Sequence, residues 1–262
     1  ANLEKIKSFG NEIIEARDGE LASGLVGQGR MAEPEELLEV IKKKFDNQSL
    51  LKSKKVLITS GPTHEAIDPV RFIGNHSSGK MGKAIAESFA SHGAEVTMIS
   101  GPSTNLPEGV KIIKIKSAEE MLSETRALHD QADIIIFSAA VADYRPENPA
   151  QEKIKKQENN LQLNLIKNPD IALELGKQKK KQIHVGFALE TNNESSNAKE
   201  KLKKKNFDLI VLNSLNDTGA GFQSDTNKVS FFDKNDNEKK FELKSKQEVA
   251  ADIVSYVTQH FT

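Results

Sequence analysis

The chain has 262 residues, no cysteine, 29% charged residues and a formal net charge of -1. Those figures exclude disulfides, thiolate catalysis and cysteine-ligated metal, and they supply no overall charge for a nucleic acid or a membrane surface. There is no apolar run of transmembrane length and no charged-then-apolar leader, so a soluble cytoplasmic protein is the expectation.

Residues 1–53 hold a glycine-rich stretch from Gly19 to Gly29 and then one amphipathic helix. Pro34 stands near its start, and Leu37, Leu38, Ile41 and Phe45 share one face. That is too little apolar surface for a core of its own. From Lys55 onward strands and helices alternate. Apolar, β-branched runs predict strands at Val56–Thr59, Glu95–Ser100, Val110–Ile115, Asp133–Ser138, His184–Ala188 and Asp208–Leu212. Helical spacing predicts helices around 80–92, 117–130, 170–178, 194–205 and 246–258, with Ser117 and Glu120 in a capping-box pattern. Lys228–Asp233 and Lys239–Leu243 read as an antiparallel hairpin around Asn235-Asp236-Asn237. The alternation predicts an α/β fold, a doubly wound and mostly parallel Rossmann-like sheet with a C-terminal antiparallel hairpin.

In such a sheet ligands gather beyond the carboxyl ends of the strands. Four loops would meet there: 60–82, 138–159, 189–194 and 213–225. In the first, NHSSGKMG (75–82) follows a strand and opens a helix. Backbone N–H groups around Ser78, Gly79, Lys80 and Met81 are then placed for an anion. No G-x-G-x-x-G follows the strand, so this is not a standard NAD site. Asn75 suits either a turn or cap role or an amide donor to a carbonyl or developing oxyanion. His64 and His76 have no partner at metal-ligand spacing and read as ordinary hydrogen-bonding residues.

The second loop begins with small residues, Ala139 to Ala142, which let a planar ring approach the backbone, and Asp143 beyond them suits a ribose hydroxyl. Residues 144–160 are polar, lysine-rich and without apolar period; they fit a mobile flap or a plain solvated loop. The lysine runs at 153–156, 177–181 and 199–205 lack interleaved aromatics and read as wet helix faces rather than a nucleic-acid surface. Individual lysines among them suit clamping a triphosphate.

DPVRFIGNHSSGKMG (68–82), SAAVADYRP (138–146), EKIKK (152–156), KNPDI (167–171), GFALETNN (186–193) and GFQSDTNKV (221–229) together resemble the phosphopantothenate–cysteine ligase family. The resemblance spans essentially all of 54–262. It implies a ligase domain there and a cytoplasmic enzyme of coenzyme A biosynthesis. Its substrates would be 4′-phosphopantothenate, L-cysteine and a nucleotide, CTP in most bacterial members, with Mg²⁺ accompanying the nucleotide. By the same resemblance, residues 1–53 are the tail of a flavin-dependent decarboxylase partner plus a linker helix. GELASGLVGQGRMAEP (19–34) resembles that partner's substrate clamp, with Ser23 where the family has a catalytic cysteine. Neither flavin nor decarboxylase activity is expected of this chain.

The resemblance also implies roles. Phe137, Ser138 and Ala139 would line the cytosine through backbone groups, and Asp143 would hold the ribose. Pro169, Asp170, Ile171, Ala172, Phe187, Lys201 and Lys205 match further nucleotide-binding positions. Lys153 matches a flap lysine that assists acyl-cytidylate formation, and Asn75 matches the asparagine that holds the acyl carbonyl for the cysteine step. The metal ligands are not identified. A homodimer paired through the 205–245 region is implied, within a larger assembly when fused to the decarboxylase. Two alternatives share the fold class: a nicotinamide-dependent oxidoreductase, which would need the missing fingerprint, and an idle nucleotide-binding module, which would not need Asn75, Asp143 and Lys153.

Overall fold

The computed structural model describes residues 2–9, 11–20, 26–49, 51–155, 160–190, 192–214 and 224–262. The chain divides into two units, Ala1–Leu50 and Leu51–Thr262. The first holds α1 (Asn2–Ser8), an antiparallel hairpin of β1 (Arg17–Glu20) and β2 (Val26–Arg30), and α2 (Pro34–Ser49). Pro34 is the first helical residue, where a missing N–H costs nothing. Leu38 and Ile41 on the expected apolar face stand about half exposed. Ser23 and the Phe45 side chain lie outside the described residues.

The second unit begins with β3 (Lys55–Ser60), a small hairpin of β4 (His64–Ala66) and β5 (Phe72–Gly74), and α3 (Lys80–Ser91). Next come β6 (Glu95–Ser100), β7 (Lys111–Lys114), α4 (Ala118–His129) and β8 (Ile134–Phe137). A second hairpin, β9 (Tyr144–Pro146) with β10 (Leu165–Lys167), precedes α5 (Ile171–Gln178), β11 (Ile183–Glu190), α6 (Glu194–Lys204) and β12 (Leu209–Ser214). The chain closes with β13 (Thr226–Asn227), β14 (Val229–Asp233), β15 (Glu238–Lys240), β16 (Lys244–Ser245) and α7 (Lys246–Phe261).

Eight strands form the main sheet in the order β15-β14-β12-β11-β8-β3-β6-β7. The six from β12 to β7 are parallel, and β14 and β15 extend the sheet antiparallel. In register, Ile58 lies between Met98 and Ile136, and Val185 between Ile136 and Leu209. Strand alternation sends these side chains to one face, under Ile85 and Phe89 of α3 and Val249 and Ile253 of α7. The intervening residues Leu57, Ile135 and Ile210 go to the other face, under Met121 of α4, Leu175 of α5 and Leu202 of α6. Both faces are therefore covered, as a parallel sheet requires.

The predicted strands and helices all appear, with ends shifted by up to three residues. Three hairpins, β1–β2, β4–β5 and β9–β10, were not expected, and neither was α1. Tyr144–Pro146 belongs to a strand, so the stretch read as an irregular flap or loop begins with a paired segment. Three residues are too few to display a period of two, and its partner lies across the loop. The capping pattern at Ser117 is half formed: its Oγ accepts from Glu120 N–H at 3.2 Å, but Glu120 accepts from Lys116 N–H instead. A complete capping box starts α7, between Ser245 and Glu248. In the β14–β15 turn, Asp233 accepts from the backbone N–H groups of Asn235 and Asn237, and Asp236 takes φ 62°.

Candidate functional site

The winding direction of the sheet reverses between β3 and β8, and a cavity of about 920 Å³ opens beyond their carboxyl ends. One wall is the start of α3. Gly79 precedes the helix with φ 77° and provides no side-chain cap. A Cβ at Gly82 would stand 2.1 Å from Ser60 Oγ, so only glycine lets α3 approach the end of β3 this closely. The turn before the helix is fixed from outside by Ser103 Oγ and Asn105 Nδ2, which both donate to the Ser78 carbonyl.

The second wall is the chain leaving β8. Ser138 donates its N–H to Thr59 O, Ala140 donates to Gly61 O, and Ala142 donates to Thr63 Oγ1. The segment 138–142 is thereby held extended along 59–63. Asn75 Nδ2 donates to the carbonyls of Ala140 and Val141, both at 3.1 Å, which ties the α3 loop to this segment. Asp143 is exposed at the end of it, and its carbonyl accepts from Asn168 N–H.

The third wall comes from α5, β11 and α6. Asp170 caps α5 by accepting from Leu173 N–H at 3.0 Å, and Lys205 Nζ lies 3.0 Å from its carboxylate. Lys201 Nζ bonds Glu190 at 2.5 Å, and Asn197 donates to the other oxygen. Burial pushes the Glu190 carboxyl up, but those two donors outweigh it and leave its pKa lowered. These lysines are therefore paired groups on a cavity wall, not merely a wet helix face.

The cavity lining contains Asn75, Ser78, Gly79, Lys80, Met81, Phe137, Ser138, Ala139, Asp143, Pro169, Asp170, Ile171, Ala172, Phe187, Lys201 and Lys205. Lys153 is exposed and is not among the lining residues. Its neighbourhood is nonetheless anchored. The covered Asp68 carboxylate pairs with Arg71 and accepts from Ile154 N–H, while Arg71 Nη2 donates to Ile154 O. The Arg71 guanidinium holds the Asp68 carboxyl well below the usual range.

Sequence reasoning missed Asn213, Asn227 and Lys246, which also line the cavity. The short β13–β16 ladder places Asn227 and Lys246 there. One signal was present: a lysine at the first position of a helix opposes the helix dipole. His64 stacks on Phe72 with ring centroids 3.6 Å apart. Among the described residues no group of three His, Cys, Asp or Glu side chains is placed to hold a metal. No described helix is long and apolar enough to cross a membrane.

This arrangement defines a doubly wound α/β domain with a cavity at its switch point. The family described as DNA/pantothenate metabolism flavoprotein C-terminal domain matches residues 51–261, and the chain belongs to that family. It is 45% identical over 262 residues to the coenzyme A biosynthesis bifunctional protein CoaBC of Haemophilus influenzae, covering 99% of this chain and 65% of that protein. It is 52% identical over 260 residues to a protein named cysteine/cysteine sulfinic acid decarboxylase, from an unknown prokaryotic organism, covering 97% of this chain and 72% of that protein. The crystal structure of a CoaBC C-terminal domain superposes with a TM-score of 0.69 at 39% identity, over 80% of this chain and 97% of that domain. The chain thus spans only about two thirds of the length of these longer relatives.

Proposed function

We propose that residues 54–262 ligate L-cysteine to 4′-phosphopantothenate, using CTP, in coenzyme A biosynthesis. The observation that carries this reading is the gathering around one cavity of side chains from separate loops, each of which the family resemblance assigns to substrate. Membership of the family and likeness to the CoaBC proteins support it. We read residues 1–53 as the tail of a decarboxylase partner with a linker helix, and the active form as a cytoplasmic homodimer paired through 205–245.

A carboxylate is a poor acyl donor because its leaving group would be oxide-like. In the first half-reaction the phosphopantothenate carboxylate attacks the α-phosphate of CTP, forming an acyl-cytidylate and releasing pyrophosphate. The 137–139 backbone faces the base, Asp143 the ribose, and the α3 N-terminus the phosphate charge. Lys153 enters when the segment anchored at Ile154 closes, bringing a cation to the reacting phosphate. In the second, the cysteine amine attacks the acyl carbon and CMP leaves. Asn75 turns its amide from the Ala140 and Val141 carbonyls to the acyl oxygen, whose charge grows as cysteine attacks. Mg²⁺ binds chiefly phosphate oxygens with one or two carboxylates. The cavity, with the Asp143 carboxylate and no three-ligand cluster among the described residues, fits an ion that arrives with the nucleotide.

Pyrophosphate release, measured for each nucleoside triphosphate with and without phosphopantothenate, tests the reading. Release that requires both CTP and phosphopantothenate is expected. Release independent of phosphopantothenate, or none with any nucleotide, would overturn it.

A further inference from the structure

The GFQSDTNKV motif has no part in the chemistry above, yet its described end closes one side of the cavity. Ser224 O accepts from Lys246 Nζ, Asp225 pairs with Lys80 Nζ at 2.6 Å, and Asn227 Nδ2 lies 3.7 Å from Met81 Sδ. Two ammonium groups therefore converge at the start of α3. Each belongs to the first residue of a helix, Lys80 of α3 and Lys246 of α7, where the dipole favours an anion and disfavours a cation. Lys246 is also 4% exposed. Burial first, and then the charge of Lys80, push its pKa down, with Asp225 opposing. A cation kept in such a place needs a compensating anion.

The carboxamides beside it have the same character. Asn227 is 4% exposed, and its Oδ1 has no hydrogen-bond partner among the described residues; the Oδ1 of Asn213 has none either. A buried carbonyl left unpaired is costly. Turning the Asn227 amide by half a turn gives up only an N–H contact to a thioether, a weak acceptor, and puts an N–H donor of this cavity-lining residue where the unpaired oxygen stands.

We propose that Lys246 and Asn227 are phosphate-binding residues of this cavity, acting with Lys80 on the outermost phosphates of the nucleotide, and that Asp225 holds Lys80 until those phosphates arrive. This rests on the nucleotide reading above and extends it to the pyrophosphate leaving group. The Asp225 side chain is 84% exposed, so its ion pair with Lys80 is weak and a polyanion displaces it readily. Lys246 then neutralises charge on the departing pyrophosphate beside the α3 N-terminus, with Lys80.

Calorimetric titration with inorganic pyrophosphate, CTP and CMP tests this on the full chain. Lys246→Met should weaken pyrophosphate and CTP by roughly ten- to a hundredfold, the range for a lost charge-assisted hydrogen bond, and leave CMP unchanged. Lys246→Arg should restore most of the loss, and Asp225→Asn should tighten pyrophosphate severalfold. Unchanged pyrophosphate and CTP binding in Lys246→Met would overturn the proposal, as would an equal loss for CMP or no pyrophosphate binding by the parent chain. If Lys246→Met does not fold, Lys246→Gln replaces it, since glutamine can still donate to Ser224 O. A parent chain that binds pyrophosphate through Lys246 but prefers another triphosphate to CTP would refute the CTP reading and leave this inference standing.

Discussion

Asn75 and Lys153 occupy different situations, and the difference makes their roles separable. Asn75 lines the cavity, with its amide spent on two backbone carbonyls, whereas Lys153 is exposed and outside the lining. With labelled CTP, phosphopantothenate and cysteine, Asn75→Ala should accumulate acyl-cytidylate, since removing one oxyanion donor costs about 3 kcal/mol, roughly a hundredfold in rate. Lys153→Gln should leave mostly CTP. Quenched samples resolved by chromatography distinguish the two, and stalling at one common species would refute the division of roles. Gly82 gives a stability test at the same scale. Its missing Cβ would meet Ser60 Oγ at 2.1 Å and Ser60 Cβ at 2.6 Å, so Gly82→Ala must push α3 off the sheet. We expect a loss of about 1–3 kcal/mol by urea denaturation, typical of overpacking. The NHSSGKMG loop was legible as a helix-opening wall of the site because a strand, a glycine turn and a helix follow one another in the sequence. Asn213, Asn227 and Lys246 were not, because they come from distant segments: Asn213 from the end of β12, Asn227 and Lys246 from the two sides of the β13–β16 ladder.

Among the elements, the segment carrying Lys153 combines an anchored root with an exposed lysine. Ala150 N–H donates to Ile67 O, and Ile154 is bonded through both its backbone groups to Asp68 and Arg71. Closure over substrate should protect the bonds after Lys153 and Lys155 from trypsin when CTP and phosphopantothenate are both present, whereas Asp68→Asn should speed cutting there. Equal cutting rates with and without ligands would argue against closure. The start of α7 offers a second test, because it delivers Lys246. Ser245→Ala removes the side-chain arm of its capping box, leaves the backbone arm from Ser245 N–H to Glu248, and should cost about 1 kcal/mol, a fall of a few degrees in melting temperature. The long helices and buried strands were legible from period and composition. The β4–β5 and β9–β10 hairpins were not, since strands of three residues have no readable period and are stabilised by their neighbours.

At the scale of the whole molecule, the pole of the sheet opposite the cavity carries a buried polar network. His184 Nε2 lies 3.2 Å from His129 Nε2, a geometry that needs one ring to donate and the other to accept. Burial first, then the charges of Lys179 and His129, lower the His184 pKa to about 3. Asp208 is raised by burial, but hydrogen bonds from Lys179, Lys234 and the His184 backbone N–H outweigh that and leave it lowered. In both cases the unfolded chain takes up protons that the folded chain refuses. Stability should therefore fall as pH drops from the ordinary histidine range near 6.5 toward 3, with Asp208 adding to the loss below about 4. Urea midpoints measured between pH 7 and 4 should decline, and His184→Gln should flatten that decline. An unchanged slope in the variant would assign the acid sensitivity elsewhere.

The sequence by itself determined the alternating α/β order, the buried apolar strands and the strand, glycine turn and helix start that frame the 75–82 loop. Those properties are local: they follow from side-chain period, glycine placement and helix starts within a few residues. Only the tertiary structure decided the strand order, the reversal between β3 and β8 where the cavity opens, and the ion pairs that turn Lys201 and Lys205 into cavity walls. It also decided that Lys80, Asp225 and Lys246 meet. Those contacts join residues far apart in the chain, and their geometry is set by how helices pack on a twisted sheet, which no local pattern encodes.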